Sequence, residues 1–184
     1  MFVLTHNFGF FRQVKNWFNH MNRRKKPNQF SACFYMVEAG VLAGQRNACL
    51  RVLDPLLQKF DSEYHYLFKK VYEEANCGIK RPALEDYYAM PNIARRLLEA
   101  FLAFHFPAHS GELNQQLDQV TGFDPAKKAR ILRFLHTYSH DGKIGEPEHD
   151  LSILAETPQV LKELLELIAT EDAKHFDEMV KFVI

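Results

Sequence analysis

Long apolar runs are missing from this sequence of 184 residues. No stretch reaches the roughly 20 apolar residues that a helix needs to cross a bilayer, so nothing here reads as a membrane span. Cysteine is scarce. Cys33, Cys49 and Cys77 are far apart, odd in number and form no CxxC pair, which excludes a disulfide framework. An excess of one charge is absent as well: 23 Lys and Arg balance 23 Asp and Glu. No global field therefore advertises nucleic acid, and any such contact would need a local patch. Met1 to Leu4 is too short an apolar run for a signal peptide and has no basic leader. The expected setting is the reducing cytoplasm. There is no internal repeat and no low-complexity segment.

What is present is apolar bulk: 47% hydrophobic residues, with 16 Phe. Aromatic packing is expected to dominate the core. Phe2 to Leu4 reads as a short buried strand, Phe10 to Met21 as an amphipathic helix, and Phe30 to Val37 as a second strand. On the helix, Phe10, Val14, Trp17, Phe18 and Met21 form the apolar side. Arg23 to Lys26 lie in a basic turn between the helix and the second strand. From about Pro55 the pattern becomes helical. Asp61 or Ser62 opens one helix and Pro91 suits the first turn of another; "GELNQQLDQV" comes next. Asp124-Pro125 and Thr157-Pro158 mark the two later starts, the second leading into one long final helix. The boundary between the strand-containing piece and the helical remainder falls near residues 45–60. A lone pair of strands is marginal in water, so the first piece reads as part of a larger sheet.

Two groups of residues can carry chemistry. The first is Thr5-His6-Asn7 at the end of the expected strand. A histidine there can reach across the crevice at the carboxyl end of a parallel sheet, where α/β folds bind ligands. The bland alternative is a Thr/Asn cap with an incidental histidine. The sequence has no GxxxxGK[ST] and no apolar run ending in Asp-Glu, hence no phosphate cradle and no magnesium-holding acid. ATP hydrolysis is not expected from this chain alone.

The second group lies in the helical half. In "NIARRLLEAFLAFHF", Ile93, Leu97, Phe101 and Phe104 cluster on the wheel, widened by Leu98 and Leu102, while Arg95 and Glu99 fall together on the opposite face. An i,i+4 surface ion pair explains those two residues equally well. In "KKARILRFLHTYSH", Ile131, Phe134, Leu135 and Tyr138 form the apolar side, and Arg133, His136 and His140 share the polar side. A guanidinium can hold a phosphodiester and an imidazole can move a proton near neutral pH, so the Arg-x6-His spacing suits metal-independent RNA cleavage. A zinc helix using His136 and His140 competes, but the glutamate of HExxH is missing and no metal site is assigned. The histidines could also simply complement the helix C-terminus.

The order "LTHNFGFF", "YMVEAG", "MPNIARRLLEAFLAF", "RFLHTYSH" and a last long helix resembles the C-terminal part of large P-loop (ABC/SMC-like) ATPases related to bacterial anticodon nucleases of the PrrC and RloC type. The resemblance covers nearly all of the chain. It implies a mainly α fold: residues 1–50 as the C-terminal edge of an ATPase head, lacking Walker A and Walker B, and residues 51–184 as a helical, HEPN-like domain. It also implies His6 and Asn7 near nucleotide, Arg95 and Glu99 in the catalytic set with either His136 or His140 as its histidine, and, on the HEPN-like Arg-x6-His spacing, Arg133 with His140. The intact protein would use ATP and magnesium, pair through its heads as a homodimer, act on tRNA or other RNA, and serve in phage defence. On this reading the chain is a fragment whose upstream part is missing. A non-catalytic interaction or dimerisation module is the rival.

Overall fold

Residues 2–4 form no strand. Phe2 is 98% exposed and Leu4 83%, because among the described residues no strand lies alongside to complete a ladder. The computed structural model describes residues 2–42, 44–77, 83–137 and 151–184, and the chain divides into two units, residues 1–61 and 62–184.

The first unit opens with α1 (Phe8–Asn22). Asn7 caps it: its Oδ1 accepts from Phe10 N at 3.0 Å, while Thr5 Oγ1 accepts from Asn7 N at 3.0 Å. The face that packs differs from the expected one. Phe11 and Phe18 meet Phe34, with centroids 5.9 and 6.4 Å apart, and Lys15 and Asn22 are buried on the same stripe. Lys15 Nζ donates to the carbonyls of Leu57 and Gln58 and pairs with Asp61 at 2.9 Å. Three polar partners for one ammonium outweigh the apolar claim of Phe10, Trp17 and Met21, which stay exposed.

Two antiparallel strands follow, β1 (Tyr35–Leu42) and β2 (Gln45–Val52), with Tyr35 opposite Val52 and Leu42 opposite Gln45. Gly44 in the connection has φ 78°, a conformation that disfavours any residue with a β-carbon. The expected strand at Phe30–Val37 is thus shifted toward the C-terminus. Its register is fixed by β2, whose polar sequence QRNACLRV carries little strand signal of its own. A short helix, α2 (Pro55–Lys59), completes the unit, capped by Asp54.

The second unit is entirely helical among its described residues: α3 (Glu63–Ala75), α4 (Met90–His105), α5 (Leu113–Gln119), α6 (Pro125–Thr137), α7 (Thr157–Glu171) and α8 (Ala173–Val183). Helices α3, α4, α6 and α7 pack on one another as a four-helix core, with α5 against α4 and α8 against α3 and α7. Four of the starts have a local cause: Ser62 caps α3, Pro91 and Pro158 sit in the first turns of α4 and α7, and Asp124 Oδ1 accepts from Ala126 N at 2.8 Å at the start of α6. The chain is mainly α, with one small strand pair among the described residues, as its periodicity implies.

Three expectations are corrected. Leucine, not phenylalanine, dominates the core: 13 buried Leu against 5 buried Phe among the described residues. Phe104 is 86% exposed, because the bundle covers the α4 face carrying Ala94, Leu97, Leu98, Phe101 and Leu102 and leaves the next row out. The long final helix is two. Asp172, at φ −145° and ψ 85°, ends α7, and its carboxylate accepts from His175 N at 2.9 Å to start α8. No helix among the described residues is long and apolar enough to cross a membrane.

Candidate functional site

The α4 arginines and glutamate are set by helix geometry. A residue four positions on returns to the same face, and Arg95 Nε donates to Glu99 Oε1 at 2.7 Å. Arg95 is the more covered of the two, at 27% side-chain exposure against 42%. Its neighbour Arg96 turns toward α3 and pairs with Glu63 at 2.5 Å. Glu99 and Arg96 line a cleft of about 390 Å³ whose other wall includes Ser110, Gly111 and Gln116. Gly111 adopts φ 92°, which lets the chain turn between α4 and α5. Gln116 is buried and donates to Phe106 O at 3.4 Å, fixing that wall.

On α6, which packs against α4, Arg133 Nη2 bridges both oxygens of Glu156 at 2.6 and 2.7 Å. His136, one turn on, has its Nε2 3.3 Å from Asn114 Oδ1 on α5. Arg95 and Glu99 therefore form one pair, while Arg133 and His136 are bonded to two other elements. His140 and Tyr138 lie outside the described residues. Among the described residues no three His, Cys, Asp or Glu side chains gather closely enough to hold a metal ion.

At the other end of the sequence, His6 is exposed and precedes α1 by two residues, while the Asn7 side chain is occupied as the N-cap. This arrangement serves the helix start first. The sequence holds no GxxxxGK[ST] loop to cradle a phosphate and no apolar run ending in Asp-Glu to hold magnesium.

The structure also assembles a polar cluster that sequence reading missed. Tyr64 Oη on α3 lies 2.7 Å from His175 Nε2 on α8. Asp172 Oδ2 lies 3.4 Å from His105 Nε2 at the end of α4, and His105 Nδ1 is 3.0 Å from Phe101 O. The Phe101 ring is tiled by both imidazoles, at centroid distances of 4.2 and 5.7 Å. The one linear signal was "TEDAKH", an Asp followed three residues later by His, which reads as a helix start inside an apparently continuous helix. Burial pushes the Tyr64 hydroxyl up, and the Asp172 charge adds to it. Burial also pushes His175 down, with Asp172 partly offsetting it and His105 and His65 adding to the depression. The His175 backbone N–H is the main group holding the Asp172 carboxyl below its usual range.

These directions predict an acid-sensitive α8. A histidine whose folded pKa is depressed contributes stability that is intact above the ordinary value of 6.5 and is lost as pH falls below it, because the unfolded chain takes up the proton more readily. Asp172, also depressed, adds a further loss below about pH 4. Thermal melts at about pH 7.5 and 5.5 should show a lower midpoint at the acid value, and His175→Gln should flatten that difference. An unchanged pH slope in that variant would assign the effect elsewhere.

No curated protein and no solved structure matches this chain. A family model described as an AAA domain matches residues 1–166, which takes in the strand pair, α1 to α6 and most of α7. With nine-tenths of its length under that match, the chain belongs to the AAA domain family AAA_13, a family related to P-loop ATPases.

Proposed function

We propose that this chain is the C-terminal region of an ABC/SMC-like ATPase and that its helical unit cleaves RNA without a metal ion. What carries this reading is the Arg95–Glu99 pair, held at 2.7 Å on α4 with Glu99 at the edge of an open cleft. On α6, Arg133 and His136 extend the same residue chemistry, with His140 four residues further along the sequence. The reaction needs only these groups. A base, the Glu99 carboxylate or a neutral imidazole, takes the proton of a ribose 2′-hydroxyl. The 2′-oxygen bonds to the adjacent phosphorus and the bond to the 5′-oxygen breaks. A protonated imidazole returns a proton to that leaving oxygen, and arginine stabilises the charge on the phosphoryl oxygens. The products are a 2′,3′-cyclic phosphate and a 5′-hydroxyl. The chain supplies no step of nucleotide hydrolysis. In the intact, cytoplasmic protein ATP and magnesium would be bound by other residues, dimerised heads would gate the helical unit, and phage defence is the setting the resemblance implies.

The test is incubation of the purified chain with bulk tRNA in excess EDTA. Cleavage leaving cyclic phosphate ends is expected, and Glu99→Gln and Arg95→Ala should each slow it by about 100-fold while melting near the parent temperature. A second reading has its own observation: Arg95, Arg133 and Arg96 already carry internal carboxylate partners. In that case the pairs stabilise an interaction module, no cleavage occurs, and the same variants lose only a few tenths of a kcal/mol each, as surface pairs do.

A further inference from the structure

The balanced charge of the whole chain hides two unbalanced halves. Residues 1–61 hold nine Lys and Arg against three Asp and Glu, whereas residues 62–184 hold fourteen against twenty. The first unit thus carries a net positive charge of six and the second an equal negative one. The densest positive charge is Arg23-Arg24-Lys25-Lys26, immediately after α1, and all four residues are exposed. Among the described residues no carboxylate pairs with Arg23, Arg24 or Lys26, and Lys25 Nζ donates to Ser31 Oγ at 2.6 Å.

Exposed aromatic residues flank this turn on both sides in the sequence. Trp17, in the last two turns of α1, is 62% exposed, and Phe30, directly after the Pro27–Gln29 turn, is 47% exposed. Trp17 stays in solvent because the packed face of α1 is the one carrying Phe11, Lys15 and Phe18. Exposed rings beside a cationic track are the two components of a surface for unpaired nucleic acid: the cations follow the phosphates and the rings stack on bases regardless of their identity. Arginine at two of the four positions adds planar, forked donors suited to phosphate.

We propose that the cationic turn Arg23–Lys26, with Trp17 and Phe30 on either side, binds single-stranded nucleic acid. This surface lies wholly within residues 1–61 and does not depend on RNA cleavage by the helical unit. It also supplies what the acidic helical unit lacks, an attraction for a polyanion. A duplex fits less well, because the rings need open base faces.

Trp17 is the single tryptophan of the chain and so reports locally. Titrating the full chain with oligouridylate of about 12 nucleotides should quench its fluorescence saturably near 50 mM salt. The logarithm of the binding constant should fall with the logarithm of salt at a slope of about −3, as expected for four neutralised phosphates. The exposed-residue variant Arg23→Ala/Arg24→Ala/Lys26→Ala should bind at least tenfold more weakly, with a slope near −1 and an unchanged far-ultraviolet dichroism spectrum. Oligodeoxythymidylate of the same length has no 2′-hydroxyl to attack and should quench Trp17 in the same way, so failure of cleavage and failure of binding are separate results. The proposal is overturned if no saturable quenching occurs or if the triple variant binds undiminished. It is equally overturned if phosphatidylserine vesicles shift Trp17 emission while the oligonucleotide does not, which would make the turn a membrane contact.

Discussion

Replacing Phe101 by alanine is expected to cost about 3–5 kcal/mol, the range for deleting a large buried aromatic side chain. Phe101 is 2% exposed and sits in the four-helix core on α4. A domain of this size shifts its midpoint by roughly 3–5 °C per kcal/mol, so a drop of more than about 10 °C should appear in a thermal melt. The loss has two parts. One is the cavity among Leu97, Leu98 and their neighbours; the other is the ring on which His105 and His175 rest. Phe101→Leu separates them. It refills much of the volume without a π-face, so the midpoint should recover most of the way while the environment of the two imidazoles, read by their NMR shifts, stays altered. A Phe101→Ala chain melting within a few degrees of the parent would mean that the core lies elsewhere.

Arg130→Met is expected to be nearly as damaging, for a different reason. Glu163 on α7 is buried at 2% exposure, and its carboxylate accepts from Arg130 and, at 2.9 Å, from Gln159 Nε2. Removing the guanidinium leaves a buried negative charge with one neutral donor. Breaking such a pair costs about 3–5 kcal/mol in full burial; Arg130 is 38% exposed, so about 2–3 kcal/mol is expected here. The double replacement Arg130→Met/Glu163→Leu should restore most of the loss, because two packed apolar side chains substitute for a buried ion pair at little cost. If the double variant is no more stable than Arg130→Met, the damage comes from lost packing of the arginine stem and not from the stranded charge. Denaturant titration of the three proteins decides it.

Both residues show where sequence reading is strong and where it stops. The α4 wheel already placed Phe101 on the apolar face, because a period of 3.6 is written in the order of the residues. The same wheel included Phe104, which solvent covers, since a wheel gives a face but not how wide a strip the neighbours bury. Glu163 lies in "KELLELIATE" among other acids, and nothing in the string separates it from Glu166, half exposed and paired with Lys127. The candidate set divides in the same way. Arg95 and Glu99 were legible as a pair because four residues make one helical turn. The partners of Arg133 and His136, Glu156 and Asn114, come from segments more than twenty residues away in the sequence and become neighbours only when the helices pack.

By itself the sequence determined the helical character of the second unit and most helix starts, since these depend on local residue order. The tertiary structure decided which side of α1 is buried, where β1 pairs, that the last helix breaks at Asp172, and which carboxylate each arginine meets. Those outcomes turn on competition between distant groups for burial and for hydrogen bonds. Lys15 shows it best: an amphipathic pattern would leave a lysine in water, yet three oxygen atoms brought together by the fold draw it inside.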